Sequence, residues 1–189
     1  MNIGDNNLEP AAGVVLIAAA NLLDPNFTRT VILLCEHQYD GTFGLVLNNA
    51  LPIGISDVVE SEMAWDAPLH RGGPVQENTL HFLHSIPGLE IGSIEVLPGV
   101  MWGGDFGQLS AHLDAHKTDV AKVRFFVGYS GWGEGQLTSE IERDSWYLIK
   151  GRQDAVFCED AGNHWRSVVR SLGPEYQILS NFPDDPRLN

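Results

Sequence analysis

The sequence predicts one α+β domain, a mixed β-sheet covered by helices in a three-layer-like arrangement. Three observations carry that expectation. Short apolar runs of strand type crowd the first half of the chain, the clearest amphipathic helix pattern lies near its end, and no repeat or Ser/Gly linker interrupts the 189 residues. Strands first, a mixed middle and helices last is the order of an α+β domain, and 189 residues suit one core. Residues 1–189 are therefore read as a single domain, with 1–12 a flexible extension.

Residues 13–20 and 30–36 are apolar, free of Pro and strand-like. Asp24-Pro25-Asn26 supplies turn chemistry between them. Asp40-Gly41 turns the chain into a third strand at 44–49, so 30–36 and 44–49 form a hairpin with a loop around 37–42. Ile55, Val58, Val59 and Met63 follow a helical spacing, which predicts a helix over 56–65. Residues 80–83 and 93–97 read as strands, 108–116 as a helix and 146–149 and 155–157 as buried strands. Trp165, Val168, Val169 and Leu172 mark the last helix, closed by Gly173-Pro174.

The most particular segment is 128–137, in which Gly128, Gly131, Gly133 and Gly135 alternate with Tyr129, Ser130, Trp132 and Glu134 before Gln136-Leu137. It follows the apolar run 123–127, and is read as a strand ending in a tight turn with a helix opening at Gln136. Glycine allows close backbone approach there, and the aromatics anchor the packing.

Charge narrows the function. Twenty-five acidic residues against eleven Lys and Arg give −14. That field repels phosphate backbones and anionic membrane surfaces. The basic residues are scattered (Lys117, Lys122, Arg124, Lys150, Arg152, Arg166, Arg170) and form no stripe. No apolar run reaches membrane-spanning length and the N-terminus lacks a basic leader, so a cytoplasmic protein is expected. Cys35 and Cys158 lie far apart and are expected as reduced thiols.

Several segments together resemble the AlgH/YqgE family of bacterial proteins. They are Asp24-Pro25-Asn26-Phe27-Thr28-Arg29-Thr30-Val31, then Cys35-Glu36-His37 with Gly41 and Gly44-Leu45-Val46-Leu47-Asn48. Gly72-Gly73-Pro74-Val75 with Leu83-His84 comes next, then Phe126 to Trp132 with Gln136-Leu137 and Glu140, and a closing Asp185-Pro186. The order of the set carries more weight than any member. The resemblance implies a compact domain with a helix-covered mixed sheet and names no reaction; one branch is described as a regulator of exopolysaccharide synthesis. This chain departs from the pattern at Asn48-Asn49-Ala50, where the family carries Asn-basic-Pro, and at Ser130, where Ala is frequent.

Candidate chemistry is sparse. Gly128-Tyr129-Ser130-Gly131-Trp132 misses the nucleophile elbow because Trp132 stands where Gly must close the turn; a packed glycine/aromatic turn is the competing account. Cys35 and His37 share a strand face and could form an activated thiol, or Cys35 could simply be core. His112 and His116 have metal-ligand spacing on a helix, against a reading as exposed or capping residues. Gly72-Gly73 beside Arg71 could make an anion nest or a plain turn. Asp24, Arg29, Glu36, His37, Asn48, Gly72, Gly73, Gln136 and Glu140 remain as a candidate motif cleft, or as a hydrogen-bonded network in which Arg29 pairs with a carboxylate such as Glu36 or Glu140. No cofactor or metal is expected. The leading reading is a non-catalytic binding or regulatory protein with a protein partner, without direct nucleic-acid or membrane contact; the other is an enzyme on a small molecule using a carboxylate and His37.

The charge makes a direct prediction. A gel-shift assay near physiological salt should show no sequence-selective duplex-DNA binding, and sub-micromolar selective binding would refute it.

Overall fold

One long strand organises the others. The computed structural model describes residues 8–60 and 62–181, so the closing Asp185-Pro186 motif lies outside the described residues. Strands β1 (Val14–Ala18), β2 (Val31–Gln38) and β3 (Gly41–Val46) run antiparallel in sequence order. β4 (Ala50–Gly54) pairs antiparallel with β5 (Pro68–Arg71). β6 (Val75–His84), β7 (Ile94–Leu97) and β8 (Val100–Trp102) make an antiparallel group in the spatial order β6-β8-β7. β9 (Val123–Gly133) joins them all. Its first half lies parallel to β5, its second half antiparallel to β3, and its opposite edge takes β6. β10 (Trp146–Lys150) adds antiparallel to β1. The sheet is mixed, as the sequence predicts.

Helices cover it on both faces. α1 (Phe106–Ala115) buries Leu109 and Leu113 over Leu69, Phe82 and Phe125. α2 (Gln136–Glu142) buries Leu137 against Leu16, Ile32, Leu34 and Val46. A single turn, α3 (Gln153–Val156), leads to α4 (Ala161–Ser171) and α5 (Pro174–Ser180). Trp165 and Val169 of α4 cover Val15, Ile17, Leu33 and Leu45. Alternate residues of β1 thus enter two separate cores, which is why its sequence is apolar throughout. Carboxylates cap α1 and α4: Asp105 accepts from Gln108 N at 2.9 Å and Asp160 from Asn163 N at 3.1 Å.

The structure corrects four readings. The segment after 127 is no turn: β9 continues to Gly133, so Ser130 is a fully buried strand residue. Gly128, at φ 66°, bends the strand where its partners change. The expected helix over 56–65 is one 3-10 turn at Ile55–Asp57. Ile55 N there donates to Ala67 O at 2.9 Å and Ser56 N to Asp66 Oδ1 at 3.1 Å, tying the chain to residues 66–67 instead of to a following helical turn. Residues 155–157 belong to a helical turn rather than a strand, an ambiguity short apolar runs always carry. The β2–β3 loop shrinks to Tyr39-Asp40, because pairing extends to Gln38↔Gly41 past a bulge between Leu34 and Glu36.

Gly72 and Gly73 sit where β5 leaves β9. Gly72 O accepts Val46 N at 2.9 Å, and Gly72 N donates to Val127 O at 2.9 Å. A Cβ on Gly72 would strike Gly128 O, and one on Gly73 would strike the Tyr129 carbonyl. A Cβ on Gly128 would lie 2.7 Å from Gly73 O and 2.9 Å from Val75 O. These are backbone atoms of paired strands and have nowhere to go. Gly128→Ala should therefore lower stability by about 3 kcal/mol, since overpacking adds to the cost of a positive φ. At Gly133 an added methyl would meet nothing within 4 Å, so Ala should be tolerated there with little change. Equal urea midpoints for the two variants would refute this account.

Candidate functional site

The motif residues divide among three places. Asp24 holds the turn before β2, accepting Asn26 N through Oδ1 at 2.8 Å and Thr28 N through its carbonyl at 2.8 Å. Asn48 accepts Val31 N at 2.9 Å and donates to Arg29 O at 2.9 Å, which fixes the start of β2 to the end of β3. Arg29, itself at φ 56°, lays its guanidinium 4.8 Å from the Trp165 ring centroid.

Glu140 and Glu36, the two carboxylates named for Arg29, bond to other side chains. Glu140 Oε2 accepts both indole N–H groups, from Trp132 and Trp146, each at 2.9 Å; Oε1 accepts from Gln136 Nε2 at 3.0 Å. Gln136 Oε1 in turn caps Gly133 N at 3.1 Å. Phe27 stacks on Trp132 (6.1 Å) and meets Trp146 edge-on (5.7 Å), so the first and fourth motifs join through three aromatic rings beneath one carboxylate. Glu36 accepts a hydrogen bond from Gln38.

The nucleophile and metal candidates separate equally clearly. Cys35 is buried and its thiol is pushed well above the usual range by burial, then by Glu36. His37 is exposed, with Nδ1 2.7 Å from Thr42 Oγ1. Ser130 Oγ donates to Gly72 O at 3.1 Å. His112 Nε2 lies 2.8 Å from Asp119, and its ring stacks on His116 at 4.4 Å. Among the described residues, no group of three His, Cys, Asp or Glu is placed to hold a metal.

Two concavities stand out. A cleft of about 540 Å³ opens between β2, β3 and β9 and brings Glu36 of the second motif beside Tyr129, Gly131 and Trp132 of the fourth. Asp40 lies on its rim and Phe43 stacks on Tyr129 at 4.6 Å. Tyr39 projects beside it, 84% exposed, its hydroxyl bonded to Glu134 and its pKa raised by that bond. Gly72, Gly73, Asn48 and Glu140 are not part of this lining.

The second is a pocket of about 830 Å³ between the 64–70 segment, the turn Lys117–Lys122, β9 and the residues before α4. Arg124 and His70 lie in its wall, both buried, and buried His164 stands behind. Arg124 Nη1 donates to Leu47 O at 3.1 Å and Nη2 to Cys158 O. Burial lowers the pKa of His70 and of His164 to about 4, with the Arg124 charge adding to it in both. Asp160 opposes this at His164, as the Phe125 and Pro68 backbone groups do at His70, though His70 Nδ1 has no partner at hydrogen-bond geometry. Sequence reasoning passed over this cluster. Its one available signal was an Arg inside the apolar run 123–127.

The geometry defines a class first: an α+β protein with a mixed sheet, helices on both faces and glycine-meshed central strands. The AlgH-like family model matches residues 15–177, and the chain belongs to that family. It is 45% identical over 179 residues to a UPF0301 protein of Chlorobium luteolum, covering 95% of each chain. A UPF0301 protein of Chlorobium phaeobacteroides is 43% identical over 178 residues, covering 94% of this chain and 95% of its own. The fold is shared with crystalline DIP2367 of Corynebacterium diphtheriae, with a TM-score of 0.76, 24% identity and coverage of 93% and 94%. The solution structure of the AlgH protein of Pseudomonas aeruginosa gives 0.72 at 24% identity, covering 93% and 98%. These are proteins of unestablished function. Among the described residues, no helix is long and apolar enough to cross a membrane.

The two buried imidazoles beside Arg124 set a pH dependence, in the same direction as buried His84, whose pKa burial also lowers. Each of the two titrates at about 4 in the fold and ordinarily near 6.5, so the unfolded chain binds more protons between those values. Stability from these groups is complete above pH 6.5 and is lost as pH falls toward 4. Urea midpoints between pH 7.5 and 4.5 should fall, and His164→Gln should flatten the slope. An unchanged slope would refute the assignment.

Proposed function

We propose that this protein is a cytosolic, non-catalytic binding protein that acts through a protein partner and makes no direct contact with DNA. The single observation that carries the reading is the cleft between β2, β3 and β9, where residues of two distant motifs meet at the surface. Glu36 and Asp40 give it negative charge, Phe43 and Tyr129 give it aromatic faces, and exposed Tyr39, between the lining residues Gln38 and Asp40 in sequence, is bonded to Glu134. Acidic groups around aromatic rings suit a basic segment whose Lys or Arg lies over the rings. The net charge of −14 draws such a segment in and repels nucleic acid.

The catalytic alternative lacks support at its own residues. His37 faces solvent and is bonded to Thr42, Glu36 is engaged by Gln38, and buried Cys35 resists ionisation. The serine of the near-elbow donates to a backbone carbonyl.

Titration with a short peptide of alternating Lys and Trp tests the reading by amide NMR. The expected result is salt-sensitive shifts confined to 36–43 and 129–134, with affinity reduced about tenfold, or ~1.4 kcal/mol, in a Glu36→Lys, Asp40→Lys double variant. Shifts elsewhere, or affinity indifferent to both salt and charge reversal, would sink it.

A further inference from the structure

The protein-binding reading leaves the Arg124 pocket unexplained, and that pocket holds a buried charge. Arg124 is 8% exposed and desolvated. Two backbone carbonyls take two of its N–H groups, and among the described residues no carboxylate stands within 4 Å of it. A buried cation without an ion pair is expensive to maintain for structure alone. Beside it, His70 is 6% exposed and leaves Nδ1 without a hydrogen-bond partner. Both side chains line a pocket of about 830 Å³, within the range of small-molecule sites.

We propose that this pocket binds a small organic monoanion, a carboxylate on an apolar or aromatic body, with the head on Arg124 and the body against Trp65, Val120 and Phe157. A guanidinium presents parallel N–H groups that fit a carboxylate, and a dry wall strengthens that pair. The body has its own surface: Trp65 is buried and stacks on Phe125 at 5.5 Å, while Val120 and Phe157 are half-buried in the same lining. Charge limits the ligand. Asp66 and Glu159 also line the pocket, and Glu159 supports the Arg124 charge from beyond ion-pair distance. A polyphosphate would meet those carboxylates with one Arg and the exposed Lys117 to compensate; a monoanion needs only the Arg. The site shares no residue with the cleft that would take a protein segment, so either can fail alone.

The test is calorimetry and amide NMR with indole-3-acetate, phenylacetate and octanoate, each matched with its neutral amide, and with inorganic phosphate. The carboxylates should bind at least about tenfold more tightly than the amides and shift the amides of 69–71 and 123–125. Arg124→Gln should abolish binding. Because that buried change can also cost the fold, Ala121→Trp, a surface change at the pocket lining, should block binding with native circular dichroism. Equal binding of acid and amide, binding of phosphate alone, no binding of any carboxylate at millimolar concentration, or full binding by Ala121→Trp would each overturn the proposal.

Discussion

The close approach of two backbones at Gly72-Gly73 and Gly128 is the constraint on which the architecture rests. β9 must serve β5 along one half and β3 along the other, and it changes partner at a single bend. At that bend the Gly72 carbonyl accepts from Val46 N and from Ser130 Oγ, while Gly72 N reaches Val127 O. Any side chain on these glycines would separate strands whose hydrogen bonds have no other partners. The cores on either side of the sheet keep their positions only while the crossing stays closed.

The polar motif residues largely serve the same end. Glu140 accepts two indole N–H groups that would otherwise be buried unsatisfied beneath the Phe27 ring. Asn48 closes the gap between strand ends with both its amide groups. Such side chains are costly to lose because the groups they satisfy cannot reach water. Glu36 differs: it lies at an open cleft and is bonded only to a neighbouring exposed side chain.

The chain also concentrates its electrostatic expense. Most of its basic residues stand in solvent or against carboxylates, as Lys122 does against Asp119 and Arg152 against Asp154. Arg124 alone among the residues of the 123–127 strand segment carries its charge into the interior, where it adds to the burial that keeps two neighbouring imidazoles neutral. A cavity with that wall has a different chemistry from the acidic, aromatic cleft at the far end of β9.

Local pattern was enough for much of the fold. The apolar runs at 13–20 and 30–36 became strands buried on both faces, and the stripe of Trp165, Val168, Val169 and Leu172 became a helix buried on the face its periodicity defines; Gly173-Pro174 ended that helix but also opened a further one, α5. The family and the importance of 128–137 were legible in motif order. Local pattern failed where long-range pairing decided. The stripe at 55–63 had helical spacing, but backbone bonds to residues 66–67 took its first turn. The glycine-rich segment looked like a turn, yet β3 and β6 on its two edges hold it as strand. Glu36 and Tyr129 share a cleft, and Arg124, His70 and His164 share a cluster, only because β9 carries distant residues past one another. Residue order determined which strands and helices could form; contact between residues far apart in the chain decided which polar groups were left facing a cavity.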